Sequence, residues 1–235
     1  MSVPLPAPVV TLDGPGGAGK GTVSLLLARQ LGWHYLDSGA LYRLLALAAV
    51  RDGVDLDSDA ALSARVPTLR VAFRLRDDSL QVLLDGVDVS RAIRDESCAR
   101  NASRLAIHAG VRAALLPLQR GFACAPGLVA EGRDMGTVVF PDAPLKVFLT
   151  ASAEQRAHRR WLQLSAAGVN ASLDDILDDL RRRDAQDARR VAAPLRPADD
   201  AVLIDSTDLT AQQVCARIAG YCKERGLTDG AGLPE

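Results

Sequence analysis

Residues 9 to 22 read VVTLDGPGGAGKGT, an apolar run that breaks into a glycine-rich turn and ends on a lysine at the head of a helical pattern. A strand, GxxxxGK and an amphipathic helix in that order tie this part of the chain to one local geometry. Gly14, Gly16, Gly17 and Gly19 let backbone N–H groups turn toward one centre, the helix adds its positive end, and Lys20 adds a mobile charge. The stretch Gly14, Pro15, Gly16, Gly17, Ala18, Gly19, Lys20, Gly21 and Thr22 is therefore a candidate nest for a polyphosphate. The usual pattern puts Ser or Thr directly after the lysine, whereas here Gly21 intervenes and the hydroxyl is delayed to Thr22. Either Thr22 meets phosphate or magnesium, or the ion leans more on water and phosphate oxygens.

The GKGT spelling resembles that of nucleoside monophosphate kinases such as adenylate kinase. It counts against a signalling GTPase, because none of Lys20, Lys146 and Lys223 stands in an N-K-x-D arrangement.

Five short apolar runs are predicted as strands: PVVTL from Pro8, WHYL from Trp33, GLVAE from Gly127, LKVFL from Leu145 and AVLID from Ala201. None alternates cleanly, which suits strands covered on both faces. Helical patterns separate them, among them TVSLLLARQL from Thr22 and ALYRLLALAAV from Ala40. That alternation predicts an α/β fold with a parallel sheet wound on both sides. Residues 70–89 break the rhythm and read as antiparallel strands joined by an Asp-Asp turn at 77–78 and an Asp-Gly turn at 85–86. Capping patterns at Ser152 to Gln155 and Ser172 to Asp175 predict two further helices. On the second, Leu173, Ile176, Leu177 and Leu180 form an expected buried stripe before the chain becomes RRRDAQDARR.

At 235 residues, 48% hydrophobic and 24% charged, the chain can bury a sizeable core. Its formal charge of -1 offers no whole-protein field for drawing in DNA or an acidic membrane, so any polyanion is held locally. Arginine supplies most of the basic charge, and its forks match phosphate oxygens in pairs, although genome composition gives the same bias. Cys98, Cys124, Cys215 and Cys222 fall in no metal-binding spacing, so no metal ligands are assigned and the thiols read as reduced and structural. Trp33 and Trp161 read as packing residues. The run LLALAAV at 44–50 is far too short to span a bilayer, and MSVPLPAPVV lacks the regions of a secretory signal. The expectation is a cytoplasmic monomer with neither nucleic acid nor membrane as partner.

Three further motifs follow the loop in order: LDSGALYR at 36–43, EGRDMGTVVFPDAPLKVFL at 131–149 and RRDAQDARR at 182–190. With the loop, they make the chain resemble bacterial cytidylate kinase over residues 8 to 222, except that Glu131 stands where that family often has Asp. The resemblance implies a P-loop kinase with a five-stranded parallel sheet flanked by helices, a small antiparallel insert and a helical lid. It implies a single domain over residues 1–235, with a monophosphate-binding insert at 63–98, a lid at 156–190 and a loose tail at 228–235. The implied activity transfers the terminal phosphoryl group of ATP to CMP or dCMP with Mg2+, in pyrimidine nucleotide metabolism. By the same resemblance Ser38, Arg43, Arg133, Arg183 and Arg190 hold the monophosphate or the transferring group, and Lys20, Arg133, Arg183 and Arg190 are the catalytic cations. Ser103, Arg112 and Asp134 face the cytosine ring, and Asp187 with Arg183 reaches the ribose hydroxyls.

The chemistry of these residue types agrees with the implied roles. Two anions must meet for phosphoryl transfer, so positioned cations carry most of the catalysis and no histidine is required. Residues 183, 187 and 190 fall at i, i+4 and i+7, on one helical face, which also suits a solvated, self-paired surface. A carboxylate such as Asp134 accepts from the exocyclic amine of cytosine and repels the carbonyl of uracil; it equally suits a strand-end cap or a magnesium shell. Taken singly, Ser38 fits a helix N-cap and Arg133 a plain surface residue. Kinases for UMP or AMP, and a P-loop switch that hydrolyses ATP without an acceptor, are the competing readings.

Overall fold

Val9–Asp13 is buried at all five residues, with Val10 and Leu12 fully inaccessible, so this first strand (β1) must be covered on both faces. The computed structural model describes residues 7–76, 79–166, 168–189 and 193–227. By internal packing the chain divides into two compact units, one of residues up to Tyr35 and from Ala123 onward, the other Leu36–Phe122.

The sheet of the larger unit has the order β2-β6-β1-β7-β8, where β2 is His34–Asp37, β6 Leu128–Gly132, β7 Leu145–Thr150 and β8 Val202–Asp205. β1 lies parallel to β6, from Val9 opposite Leu128 to Asp13 opposite Gly132, and parallel to β7 on its other side. β8 continues the parallel set beside β7. This register gathers the carboxyl ends of β1 and β6 at one edge, where ligands sit in open parallel sheets. Helix α1 (Lys20–Leu31) packs on β6 and on α8 (Ala211–Glu224), and buries Val23, Leu27 and Leu31. A capping box at Thr210 and Gln213, spelled T-x-x-Q in the sequence, opens α8.

Helices α6 (Ala153–Ala166) and α7 (Leu173–Ala188) pair with each other, and the Ser152 and Ser172 hydroxyls accept the N–H of Gln155 and Asp175 as the capping patterns predict. Their shared core is Ala157, Ile176 and Leu180, with Leu177 partly buried against it. Leu173 does not belong to this stripe: as the first residue of α7 it projects before the partner helix covers that face and is 42% exposed. Trp161 is also exposed rather than packed inside, and stacks on His158 with centroids 6.1 Å apart. α7 stops at Ala188, short of the arginine at 190, which lies outside the described residues together with the tail at 228–235.

The smaller unit holds α2 (Ser38–Arg51), α3 (Asp59–Arg65), an antiparallel sheet of β3 (Val71–Arg76), β4 (Ser79–Leu84) and β5 (Val87–Asp88), then α4 (Glu96–Leu105) and α5 (Ala109–Arg120). The Asp-Gly turn forms as read, with φ of 53° at Asp85 and 84° at Gly86, the pair of positive angles that a two-residue hairpin demands. The Asp-Asp turn at 77–78 lies outside the described residues. Leu41, Leu44, Leu45, Leu62, Leu105 and Leu115 are fully buried here, each contributing about 1.5–3 kcal/mol by removal from water.

Candidate active site

In the larger unit, the chain leaves β1 at Asp13 and turns through the glycine loop into α1. Gly14 is obligatory there: its φ is 148° and a Cβ would lie 1.9 Å from the carbonyl oxygen of Leu149 on β7. Lys20 is buried, and its ammonium reaches back over the loop to donate to the Pro15 carbonyl at 2.8 Å. The loop is fastened from behind by α6. Arg156 donates to the Gly16 carbonyl at 3.0 Å and to Asp184 of α7 at 2.7 Å, and Ser206 donates to the Ala18 carbonyl at 3.0 Å. With the Gly16 and Ala18 carbonyls taken by these donors, the loop is tied to α6 and to the residue that follows β8. Arg156 and Ser206 were not found by sequence reading, because an arginine within a helical run names a helix face but not what that face touches.

The displaced hydroxyl of the loop has a structural cause. A Cβ on Gly21 would approach Glu131 Oε1 to 3.1 Å, and Glu131 is itself buried at the end of β6 with its Oε1 accepting the Tyr35 hydroxyl. A side chain directly after Lys20 is therefore crowded by a carboxylate, and Thr22, exposed in the first turn of α1, carries the hydroxyl instead.

β6 ends in Gly132, and the next two residues, Arg133 and Asp134, enter a π-turn over Met135–Val139, a backbone form frequent at functional sites. Arg133 Nε donates to Asp187 Oδ2 at 2.9 Å, and a Cβ built on Gly16 would lie 3.5 Å from Arg133 Nη2. The guanidinium thus stands beside the phosphate loop while a carboxylate from α7 holds it. Asp187 and Asp134 are both buried, and Arg183 pairs with Asp179 one turn back on α7 at 2.6 Å. So Lys20, Arg133 and Asp187 are brought together around the loop, whereas Arg183 is engaged along its own helix.

In the smaller unit, α2 and α5 face each other through the predicted residues. The Ser38 hydroxyl donates to Gln119 Oε1 at 2.8 Å, and Arg112 lies over the Tyr42 ring at 5.9 Å. Ser38 is not the N-cap of α2; Asp37 is, accepting the Ala40 N–H at 3.0 Å, which leaves the serine hydroxyl for a tertiary bond. Arg112 also donates to the Ala106 carbonyl just past α4, the helix on which Ser103 bonds back to the Ala99 carbonyl. Arg43 donates to the Ile93 carbonyl at 3.1 Å. Gln119, buried beneath Ser38, carries no sequence signal of its own.

Electrostatically, the unusual group is Asp13. Burial pushes its carboxyl up to about 6, against the hydrogen bonds from Gly136 and Met135 and the charge of Lys20, with Asp134 adding to the rise. No group of three or more His, Cys, Asp or Glu placed to hold a metal occurs among the described residues. The thiols of Cys98, Cys215 and Cys222 are buried, whereas Cys124 is exposed, which leaves it outside the structural reading. No helix among the described residues is long and apolar enough to cross a membrane.

A family model described as cytidylate kinase matches residues 10–224. A curated cytidylate kinase of Pseudomonas paraeruginosa is 54% identical over 93% of this chain and 96% of its own. Those of Stutzerimonas stutzeri and Pseudomonas entomophila are 54% and 56% identical, each over 94% of this chain and 98% of theirs.

Proposed function

This chain belongs to the cytidylate kinase family, and we infer that it transfers the terminal phosphoryl group of ATP to CMP or dCMP, giving ADP and CDP or dCDP. The observation that carries the reading at the site is Arg133, placed beside Gly16 of the phosphate loop and oriented by Asp187.

The loop from Gly14 to Thr22 receives the ATP phosphates. Lys20 exchanges its bond to the Pro15 carbonyl for phosphate oxygens, since an ammonium on a flexible stem loses little by swapping one acceptor for a charged one. Arg133, Arg183 and Arg190 spread the charge that builds on the transferring group, and fixed cations do this without reorganising at the moment of reaction. The acceptor is already an anionic oxygen nucleophile, so no side chain has to remove a proton from it.

On the acceptor side, Ser38 and Arg43 hold the monophosphate, Ser103 and Arg112 attend the base, and Asp134 accepts from the exocyclic amine of cytosine. Asp187 has a double part, meeting the ribose hydroxyls with Arg183 and fixing the rotamer of Arg133. Magnesium keeps waters and takes most of its ligands from phosphates, and the Thr22 hydroxyl, exposed in the first turn of α1, would be the side chain to meet it. When bound, magnesium neutralises charge on the phosphate oxygens. Residues 156–190 act as a lid and 63–98 as the monophosphate-binding insert, excluding water that would otherwise consume ATP. The protein works as a cytoplasmic monomer in pyrimidine nucleotide metabolism, with nucleotides and not nucleic acid as its ligands.

A panel of CMP, dCMP, UMP and AMP in a coupled ADP-release assay tests the assignment. CMP and dCMP are the expected acceptors; equal rates with UMP would remove the part given to Asp134, and ATP consumption indifferent to all four would leave only a nucleotide-binding loop.

A further inference from the structure

Asp13 closes β1 one residue before the phosphate loop, and phosphoryl transfer as described makes no use of it. Its Oδ1 accepts the N–H of Met135 and its Oδ2 the N–H of Gly136, each at 2.8 Å, and the residue is 5% exposed. Those two amides open the π-turn after β6, and the residues directly before them are Arg133 and Asp134. One carboxylate thus takes both N–H groups of consecutive residues, which fixes the position and tilt of the turn against the strand that feeds the loop.

We propose that Asp13 is a positioning residue, tying the backbone that carries Arg133 and Asp134 to the phosphate-loop strand and so setting both the rate of transfer and the preference for cytosine. The proposal rests on the roles assigned above to Arg133 and Asp134. Its physical core is the number of acceptors. An ionised carboxylate offers two, whereas asparagine of the same shape offers one and turns an N–H donor toward the second amide. The turn then has to tilt to escape the donor–donor contact, and a displacement near 1 Å at a reacting or recognising group can cost on the order of a hundredfold. The ionised state is contested at this site. Burial and Asp134 favour the neutral carboxyl, while the two amides and Lys20 of α1 favour the charged one, with a balance near pH 6.

The test compares full-length wild type, Asp13→Asn and Asp134→Asn for kcat and KM with CMP and with UMP. In Asp13→Asn, kcat for CMP is expected to fall roughly tenfold to a hundredfold, and the CMP-over-UMP preference in kcat/KM at least about fivefold, with KM for ATP nearly unchanged. A loss of folded protein alone would scale both acceptors equally, so equal losses for CMP and UMP, or none, overturn the proposal. A preference unchanged in Asp134→Asn overturns the reading of Asp134 and this proposal with it; a preference lost there but kept in Asp13→Asn overturns this proposal alone. Should Asp13→Asn not fold, the wild type decides. The amide resonances of Met135 and Gly136 and the CMP-over-UMP preference are expected to change together through pH of about 6, the ionisation of the acceptor phosphate cancelling in the ratio. Amides that do not titrate, or a preference that stays flat while they do, overturn it.

Discussion

Arg133 Nε and Asp187 Oδ2 meet at 2.9 Å, so an arginine at the end of β6 is aimed by a carboxylate from the last turn of α7. The carboxylate is nearly buried and the guanidinium about one-third exposed, which makes this pair less screened than a surface ion pair.

Replacing Arg133 by Ala is expected to lower kcat by about a hundredfold to a thousandfold, with ATP affinity held within a few-fold, because the cation acts most in the transition state. Arg133→Lys recovers little, since an ammonium cannot bond Asp187 and reach toward the loop at once. Asp187→Asn keeps the guanidinium but loosens its aim, so a smaller fall of roughly tenfold is expected, together with a higher KM for CMP. Steady-state kinetics on the three variants check this ordering.

Gly21→Ser restores the commoner phosphate-loop spelling, yet it is expected to weaken the protein. Its Cβ would press on Glu131 Oε1 at 3.1 Å, and that oxygen is tethered by the Tyr35 hydroxyl. Thermal unfolding of Gly21→Ser, Glu131→Ala and the double variant should reveal a coupling on the order of 1 kcal/mol, with the double variant regaining part of the stability lost to serine.

Stability should depend on pH through Asp13. Its carboxyl holds a proton in the folded chain up to about 6 and releases it at the ordinary 3.8 when unfolded, so folding takes up a proton between those values. Stability from this group is therefore present at low pH and declines as pH rises through the window. The unfolding free energy of wild type minus that of Asp13→Asn is expected to fall by up to about 3 kcal/mol between about pH 4 and about pH 7.5, measured by urea denaturation.

The two ends of the α7 stripe should respond differently to truncation. Leu180→Ala removes a side chain packed with Ala157 and Ile176 and is expected to cost about 2–3 kcal/mol of local stability, whereas Leu173→Ala at the exposed start of the helix should stay within about 0.5 kcal/mol. Hydrogen exchange in α6 and α7 reads the difference.

The sheet was legible in the sequence because buried parallel strands leave continuous apolar runs, and each of the five runs became a strand within one residue of its expected start. The phosphate loop was legible because its geometry demands glycine. What tertiary contact decides was not legible. No local pattern says that Arg156 grips the Gly16 carbonyl, that Gln119 lies under Ser38, or that Asp13 gathers two amides more than a hundred residues away. Leu173 fits the helical period of its neighbours but starts the helix too early to be covered, and the exposed Trp161 shows that an aromatic side chain alone does not mark a core. The slip from GKS or GKT to GKGT was visible from the start, whereas its cause, the carboxylate of Glu131, came only with the approach of β6 to α1.

The most direct measurement follows the label of ATP carrying a radioactive terminal phosphate, incubated with this protein, magnesium and an equal mixture of CMP and UMP. The expected result is label in CDP well ahead of UDP, with little released as inorganic phosphate. Label found only in inorganic phosphate, or shared evenly between the two diphosphates, would contradict the account.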